Sequence, residues 1–427
     1  MKKSFFLILL IIFSLFSSFK IWANEQRNIS IDEVLRLAEM NSPKLSASKL
    51  REMVASKSVD IAKANYFPTL NAEAIDDTGF SGSSAGLLGV GGLMGSPYRS
   101  GYGAGLVAQQ IIYDFGRTSY DVEASQHEVE LSKQNTRVTL YQIKQLALQT
   151  YYECAFYRTA ENIWARLSHE SGIITKEVHH FVDTGQVSIV DRYLSKAQTE
   201  EAQTAQAFFA ERLKKSIQEL AIIMNTPNQN FSCPPLPREL TNQLDPNVGM
   251  ESSPLLARAR VATKVAQSRL KQEKAGFYPK ILAVASVGEM ASARVVQKKA
   301  YSGGIAIVLP IMDFHTSGEI QRASAELSAK TQDVEAERQY ISEMNAKYDL
   351  IIHSSKVRLH HLNDEYALAK KAFDVAKNRY FSLEGELIDL REAFRNIARV
   401  QTEIEETRTR LLQAGGSKAL LNGSGEG

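Results

Sequence analysis

The chain has 427 residues, with 50 lysines and arginines against 48 aspartates and glutamates, for a formal net charge of +2. So even a balance leaves no electrostatic footprint for nucleic acid. Beyond the N-terminal region no apolar run approaches the roughly 20 residues of a membrane-spanning helix. Any membrane segment there must be a share of a β-barrel, whose sequence signal is weak per strand.

Residues 1–23 read as a secretory signal peptide. Lys2 and Lys3 precede an apolar run from Phe5 to Phe16, and Ile21-Trp22-Ala23 supplies the small residue for cleavage after Ala23. Asn24, not a cysteine, directly follows that point, so nothing marks a mature N-terminus for lipid attachment. The two cysteines, Cys154 and Cys233, fall in a helical pattern and in a proline-rich connector. An oxidising compartment permits them to pair, but sequence does not say whether they meet; the expectation is no structural disulfide.

Prolines carry more information by where they are missing. None lies between residues 98 and 226, and none after 310. Proline lacks an N–H and clashes with the preceding helical turn, so the two exclusions predict two long helical regions. Between 118 and 225 only Gly172 and Gly185 occur, and between 319 and 414 only Gly385. Each region therefore reads as two helices reversing at a tip, near 183–191 and near 381–389. A helix over 118–182 is about 100 Å long at 1.5 Å per residue, which implies an elongated molecule. Val138, Tyr141, Leu148, Tyr152 and Ala155 form a heptad seam, with Gln145 as a polar interruption.

The sequence also duplicates itself. Ser42-Pro43-Lys44-Leu45 returns as Ser253-Pro254-Leu255-Leu256, and the block 63–68 returns as 274–279, both offset by 211 residues. Asp114-Phe115 returns as Asp313-Phe314 at an offset of 199. The organisation predicted is two structural repeats, 24–240 and 241–414, then a flexible C-terminal tail over 415–427. Strands are expected near 67–77 and 104–113, and near 279–288 and 303–312, close to the roughly 9–11 residues of a tilted membrane strand. Tyr66, Phe67, Tyr113, Phe277 and Tyr278 cluster at strand ends as interfacial aromatics do. The Gly- and Ser-rich stretch from Thr78 to Tyr102 reads as a mobile loop. Four strands close no barrel, and an open edge leaves backbone groups unsatisfied in lipid. Three copies pooling twelve strands meet that constraint.

Tyr113-Asp114-Phe115-Gly116-Arg117 after a strand, and Gly185-Gln186-Val187-Ser188-Ile189-Val190-Asp191 at a tip, set within the duplicated layout, resemble the TolC-like outer-membrane factor family from about residue 31 to 412. The resemblance implies a mainly α fold with a membrane β-barrel share: long helical hairpins forming a periplasmic tunnel, four strands per protomer and a 12-stranded barrel in a homotrimer. It implies a passive conduit embedded in outer-membrane lipid. A periplasmic membrane-fusion adaptor and an inner-membrane transporter, an ABC exporter or a proton-driven pump, open it. Asp389 and Glu392 match the family's acidic constriction, and Tyr380 matches a tyrosine that holds the closed tip; Glu384, Glu386 and Glu200 complete the implied gate. Thr184, Gly185, Gln186, Leu383 and Gly385 mark the adaptor-docking tips. The sequence departs from the family at the second tip, where Leu383 stands for glycine and Gly385 for a tip-tying arginine. Arg192 or Arg379 is a candidate to pair with Glu200 in its stead. The cargo is either small molecules or a protein exported by the type I route, toward which the first tip leans.

Other motifs take plainer readings. Asp114-Phe115-Gly116 lacks every companion of a kinase metal site, and Gly89-Val90-Gly91-Gly92 lacks the lysine of a phosphate loop. His179-His180 and His360-His361 are adjacent pairs pointing to different helix faces. No nucleophile–base set stands out, so neither an enzyme nor a cofactor is expected. The rival to a channel is a periplasmic coiled-coil adaptor or structural spacer without a pore, although no lipoyl-like domain is visible between the helical halves.

Overall fold

A computed structural model describes residues 27–77, 101–227, 230–237, 249–292 and 295–424. The expected signal peptide and residues 78–100 of the expected mobile loop lie outside them. In chain order the elements are β1 (Arg27–Asn28), α1 (Ile31–Asn41), α2 (Pro43–Ala64), β2 (Thr69–Asp77), β3 (Gly101–Tyr113), α3 (Arg117–Asp183), α4 (Ile189–Ile223) and β4 (Phe231–Ser232). There follow α5 (Pro254–Ala275), β5 (Lys280–Ser292), β6 (Val295–Val308), α6 (Phe314–Phe381) and α7 (Leu387–Leu421). Pro43 and Pro254 each open a 22-residue helix, where a missing N–H costs nothing. The proline-free stretches hold α3 and α6, of 67 and 68 residues, each followed by a 35-residue helix.

The chain divides into two compact units. One takes in the described residues of 42–145, 241–352 and 414–427 and carries an antiparallel sheet in the order β2-β3-β5-β6. Its register aligns Ala72, Leu106, Val287 and Tyr301 in one row across all four strands. Leu106, Val287 and Tyr301 are 45%, 58% and 87% exposed. The neighbouring row, Asn71, Val107, Ser286 and Ser302, faces the other way because side chains alternate along a strand. There Val107 and Ser286 are buried, and the Ser286 and Ser302 hydroxyls are 2.9 Å apart. Around the first row one face is mostly apolar and bare, with the exposed Glu289 and Lys299 in the row beyond it; the other is mixed and partly covered. The last strand stops at Val308, four residues before the expected 312, because Pro310 has no N–H for a ladder.

Both Asp-Phe pairs are helix entries. Asp114 accepts from Thr118 N at 2.8 Å and from Gly116 N at 3.2 Å, capping α3. Asp313 accepts from Thr316 N at 3.1 Å and Thr316 Oγ1 at 2.6 Å, capping α6. Residues 415–421, expected to be a flexible tail, continue α7: Leu421 packs with Leu256 and Ile341 in a buried cluster, and Asn422 exchanges amide hydrogen bonds with Asn345. The apolar surface of Leu420 and Leu421 outweighs the disorder that the glycines nearby suggest.

The second unit takes in the described residues of 1–41, 146–240 and 353–413. Ile163, Leu167, Ile174, Val178 and Ala202 of one hairpin join Phe373, Tyr380, Leu387, Leu390, Phe394 and Ile397 of the other in one buried cluster. Between α3 and α4, the Thr199 hydroxyl lies 3.0 Å from that of Ser171 and 2.8 Å from that of Thr175. Cys154 and Cys233 are bonded as a disulfide, with Cα atoms 6.0 Å apart. This corrects the expectation of unpaired cysteines: the connector after α4 folds back on α3, a return that no local pattern encodes. Among the described residues no helix is long and apolar enough to cross a membrane.

Candidate functional site: the two helical tips

The first tip follows from its glycine. Gly185 takes φ +73°, its N–H reaches Val182 O at 3.0 Å, and Gln186 N reaches Phe181 O at 2.8 Å, the paired bonds that close a helix end. Thr184 Oγ1 donates to His180 O at 2.9 Å. Ser188 caps α4 by accepting from Val190 N at 3.2 Å, and Asp191 falls in the first turn, where the helix dipole favours a carboxylate.

The second tip repeats these bonds without the glycine. Leu383 N reaches Tyr380 O at 3.0 Å and Glu384 N reaches Arg379 O at 2.9 Å, so Leu383 occupies the position of Gly185 at φ +62°. A left-handed leucine costs about 1–2 kcal/mol. Gly385 has a different purpose. A Cβ there would sit 3.1 Å from Arg379 Cβ and 3.2 Å from Tyr380 N, so the chain returns so close to α6 that a side chain would have to push its neighbours aside by a few tenths of an ångström.

The tips of the two hairpins meet through Tyr380. Its ring is 1% exposed, with centroids 6.4 Å from Phe181 and 6.0 Å from Phe381, and its hydroxyl donates to Asp191 Oδ2 at 3.1 Å. Burial, then the neighbouring Asp191 carboxylate, pushes the Tyr380 phenol well above its ordinary range. Two ion pairs add to this seam: Lys377 with Glu170, and Arg395 with Glu201 at 2.8 Å.

Several expected site residues stand apart from this contact. Asp389 and Glu392 are exposed on α7 and share a face by their three-residue spacing. Glu384, Glu386, Thr184, Gly185 and Gln186 are exposed, as is Leu383, while Gly385 is half-buried. Glu200 is exposed, and neither proposed arginine reaches it. Arg192 pairs with Asp183, and Arg379 Nη2 donates to Glu384 O at 3.1 Å. The acid that meets an arginine is its neighbour, Glu201. Arg395 is raised by the hydrogen bond and charge of Glu201, and further by Glu392. Its guanidinium therefore offsets part of the acidic stripe. Asp191, Glu170, Glu201 and Arg395 were not singled out from sequence; Asp191 alone carried a signal, as the end of the first tip motif.

One unit carries an antiparallel sheet with a largely apolar, bare face and the other carries two helical hairpins that meet at their tips, features in keeping with an outer-membrane protein. The chain matches the outer membrane efflux protein family over residues 34–225 and 248–417 and belongs to it. It is thus a protein of the Gram-negative outer membrane with a large periplasmic portion. Its fold is similar to that of a membrane protein from Pseudomonas aeruginosa, with 16% identity, TM-score 0.80, and 95% of this chain and 92% of that one covered. VceC, an outer membrane protein of Vibrio cholerae, is similar at 16% identity and TM-score 0.78, over 92% of this chain and 96% of that one. The open state of the MtrE outer membrane channel of Neisseria gonorrhoeae is similar at 18% identity and TM-score 0.69, over 92% and 89%. No curated protein matches the chain by sequence.

Proposed function

We propose that three copies of this chain close one 12-stranded barrel and continue inward as a helical tunnel, a passive export conduit. A periplasmic adaptor and an inner-membrane transporter dock at the tips. The observation that carries this reading is the four-stranded sheet. Its outward row is apolar and exposed, and its end strands β2 and β6 each have one neighbour among the described residues. Lipid accepts the apolar face but not the bare edges, and joining β6 of one copy to β2 of the next removes both.

In the same reading, Asp389 and Glu392 ring the tunnel mouth and favour cations. The Tyr380–Asp191 bond belongs to the closed packing, and the adaptor biases the tips toward an open one. The exposed turns at 184–186 and 383–385 are the docking points. The cargo is a small molecule or, by the type I route, a protein; the family's efflux membership supports the first and the first tip motif the second.

The experiment is extraction from outer membranes in mild detergent, mass measurement, and planar-bilayer recording. A trimer that conducts, with cation selectivity reduced by Asp389→Asn and Glu392→Gln, is expected. A monomer, or a trimer without conductance, contradicts the conduit. Co-purification of an adaptor with a drug pump, or with an ABC exporter, separates the two cargo classes.

A further inference from the structure

The disulfide sits where three distant segments converge. Cys154 lies within α3 and Cys233 in the connector that follows α4, 79 residues on. Beside it, β4 pairs in parallel with β1, matching Phe231 to Arg27 and Ser232 to Asn28. Arg158 Nη2 donates to Ser232 Oγ at 2.6 Å, and Leu236 N donates to Thr159 Oγ1 at 2.9 Å. Residues 230–237 have no helix of their own and only the two-residue β4. The chain near residue 27 and the link between the two repeats are therefore fastened to α3 through one short, irregular stretch.

Both sulfur-bearing residues are closed off: Cys154 is 0% and Cys233 is 1% exposed. Thiol–disulfide exchange needs a thiolate aligned with an accessible disulfide. A protein oxidant has no approach to these cysteines once the connector is seated.

We infer that oxidation of Cys154 and Cys233 is an obligatory maturation step that precedes docking of the connector, carried out by a protein disulfide oxidant of the periplasm. One cysteine thiolate attacks the oxidant's disulfide, giving a mixed disulfide and one free oxidant thiolate. The second cysteine thiolate attacks the sulfur of the first cysteine, forming the Cys154–Cys233 bond and expelling the other oxidant thiol. Two electrons pass to the oxidant, which leaves as a dithiol carrying the two protons. The closed loop then brings residues 231–232 toward α3, which reduces the entropy lost when β1 pairs with a strand some 200 residues away. After docking, the same burial that shut out the oxidant shuts out reductants.

The test follows the full chain by pulse–chase in Gram-negative hosts with and without their periplasmic thiol oxidase. Acid quenching and a maleimide mass tag count free thiols, and limited proteolysis scores folding. Loss of both free thiols before protease resistance appears is expected. Without the oxidase, resistant protein falls several-fold, and the double variant Cys154→Ala/Cys233→Ala reaches only that reduced level, equally in both hosts. Protease resistance that appears while both thiols remain free, or undiminished resistant wild-type protein without the oxidase, overturns the ordering. Dithiothreitol treatment of folded protein gives an independent check. The bond persists until denaturant is added, and reduction under native conditions overturns the burial argument.

Discussion

Replacing Tyr380 by phenylalanine removes one hydroxyl and leaves the ring between Phe181 and Phe381. The lost bond runs to Asp191 at 3.1 Å, and a hydrogen bond to a charged group is worth about 1.5–3 kcal/mol. Tyr380 is 1% exposed, so water regains little of it. If the bond exists only in the closed packing, Tyr380→Phe shifts the closed-to-open ratio by about 10-fold to about 100-fold, taking 1.4 kcal/mol per factor of ten. Single-channel recording in planar bilayers gives open probability directly, and Asp191→Ala should raise it comparably. The double variant should add little, because either change alone breaks the same contact. An open probability within about twofold of wild type, or fully additive effects, would show that this contact does not hold the tips shut.

Four other outcomes follow. Arg395→Ala frees Glu201 and Glu392 from their shared cation, so reversal potentials in a salt gradient should move toward stronger cation selectivity; a move toward anions contradicts a lumenal placing of this stripe. Val287→Lys puts a charge on the apolar face at a cost of about 2–4 kcal/mol, whereas Asn71→Lys on the opposite face should be tolerated; equal loss of membrane-inserted protein refutes the assignment of faces. Burial, the first cause in each case, pushes Tyr141 and Tyr151 up to about 12 from an ordinary value of 10.0. Unfolded chains then release these protons first, so the stability they contribute is present below about pH 10 and lost as pH rises toward 12. Circular-dichroism melts should hold level to pH 9 and fall above pH 10, and a flat profile refutes the shifts. Finally, Gly185→Ala meets open space but a left-handed backbone and should destabilise by about 1 kcal/mol. Leu383→Gly relieves the same strain, and a matching loss in both variants is inconsistent with the shared turn.

The long helices were legible because proline and glycine act locally: proline is absent from 98–226 and after 310, and glycine is scarce over 118–225 and 319–414, where α3, α4, α6 and α7 lie. Tips were legible for the same reason, since Gly185 and Gly385 both lie in the turns. Strand ends came out within about four residues except at the last strand, which begins at Val295, eight residues before the expected 303, and ends at Val308, where Pro310 stops the ladder. Contacts between hairpins were not legible. A one-residue step turns a helix side chain by about 100°, so Glu200 and Glu201 point differently, and only the seated register selects Glu201 for Arg395. Tyr380 was singled out through the family resemblance, but its contact with Asp191 depends on how two separate turns meet. The disulfide was missed because its 79-residue span carries no periodic signal.

Among the described residues β2 and β6 each lack a neighbour on one side, and in the proposed assembly that matters most before copies join. A solitary copy in the periplasm displays Tyr301, Ile305 and Ile307 to water beside a strand whose outer N–H and C=O groups await any extended peptide. In lipid the same copy would strand those groups without partners. Neither solvent suits it, so under the proposed three-copy barrel the lifetime of an orphan must be short or sheltered, and crowding of nascent copies would decide between a pore and a precipitate.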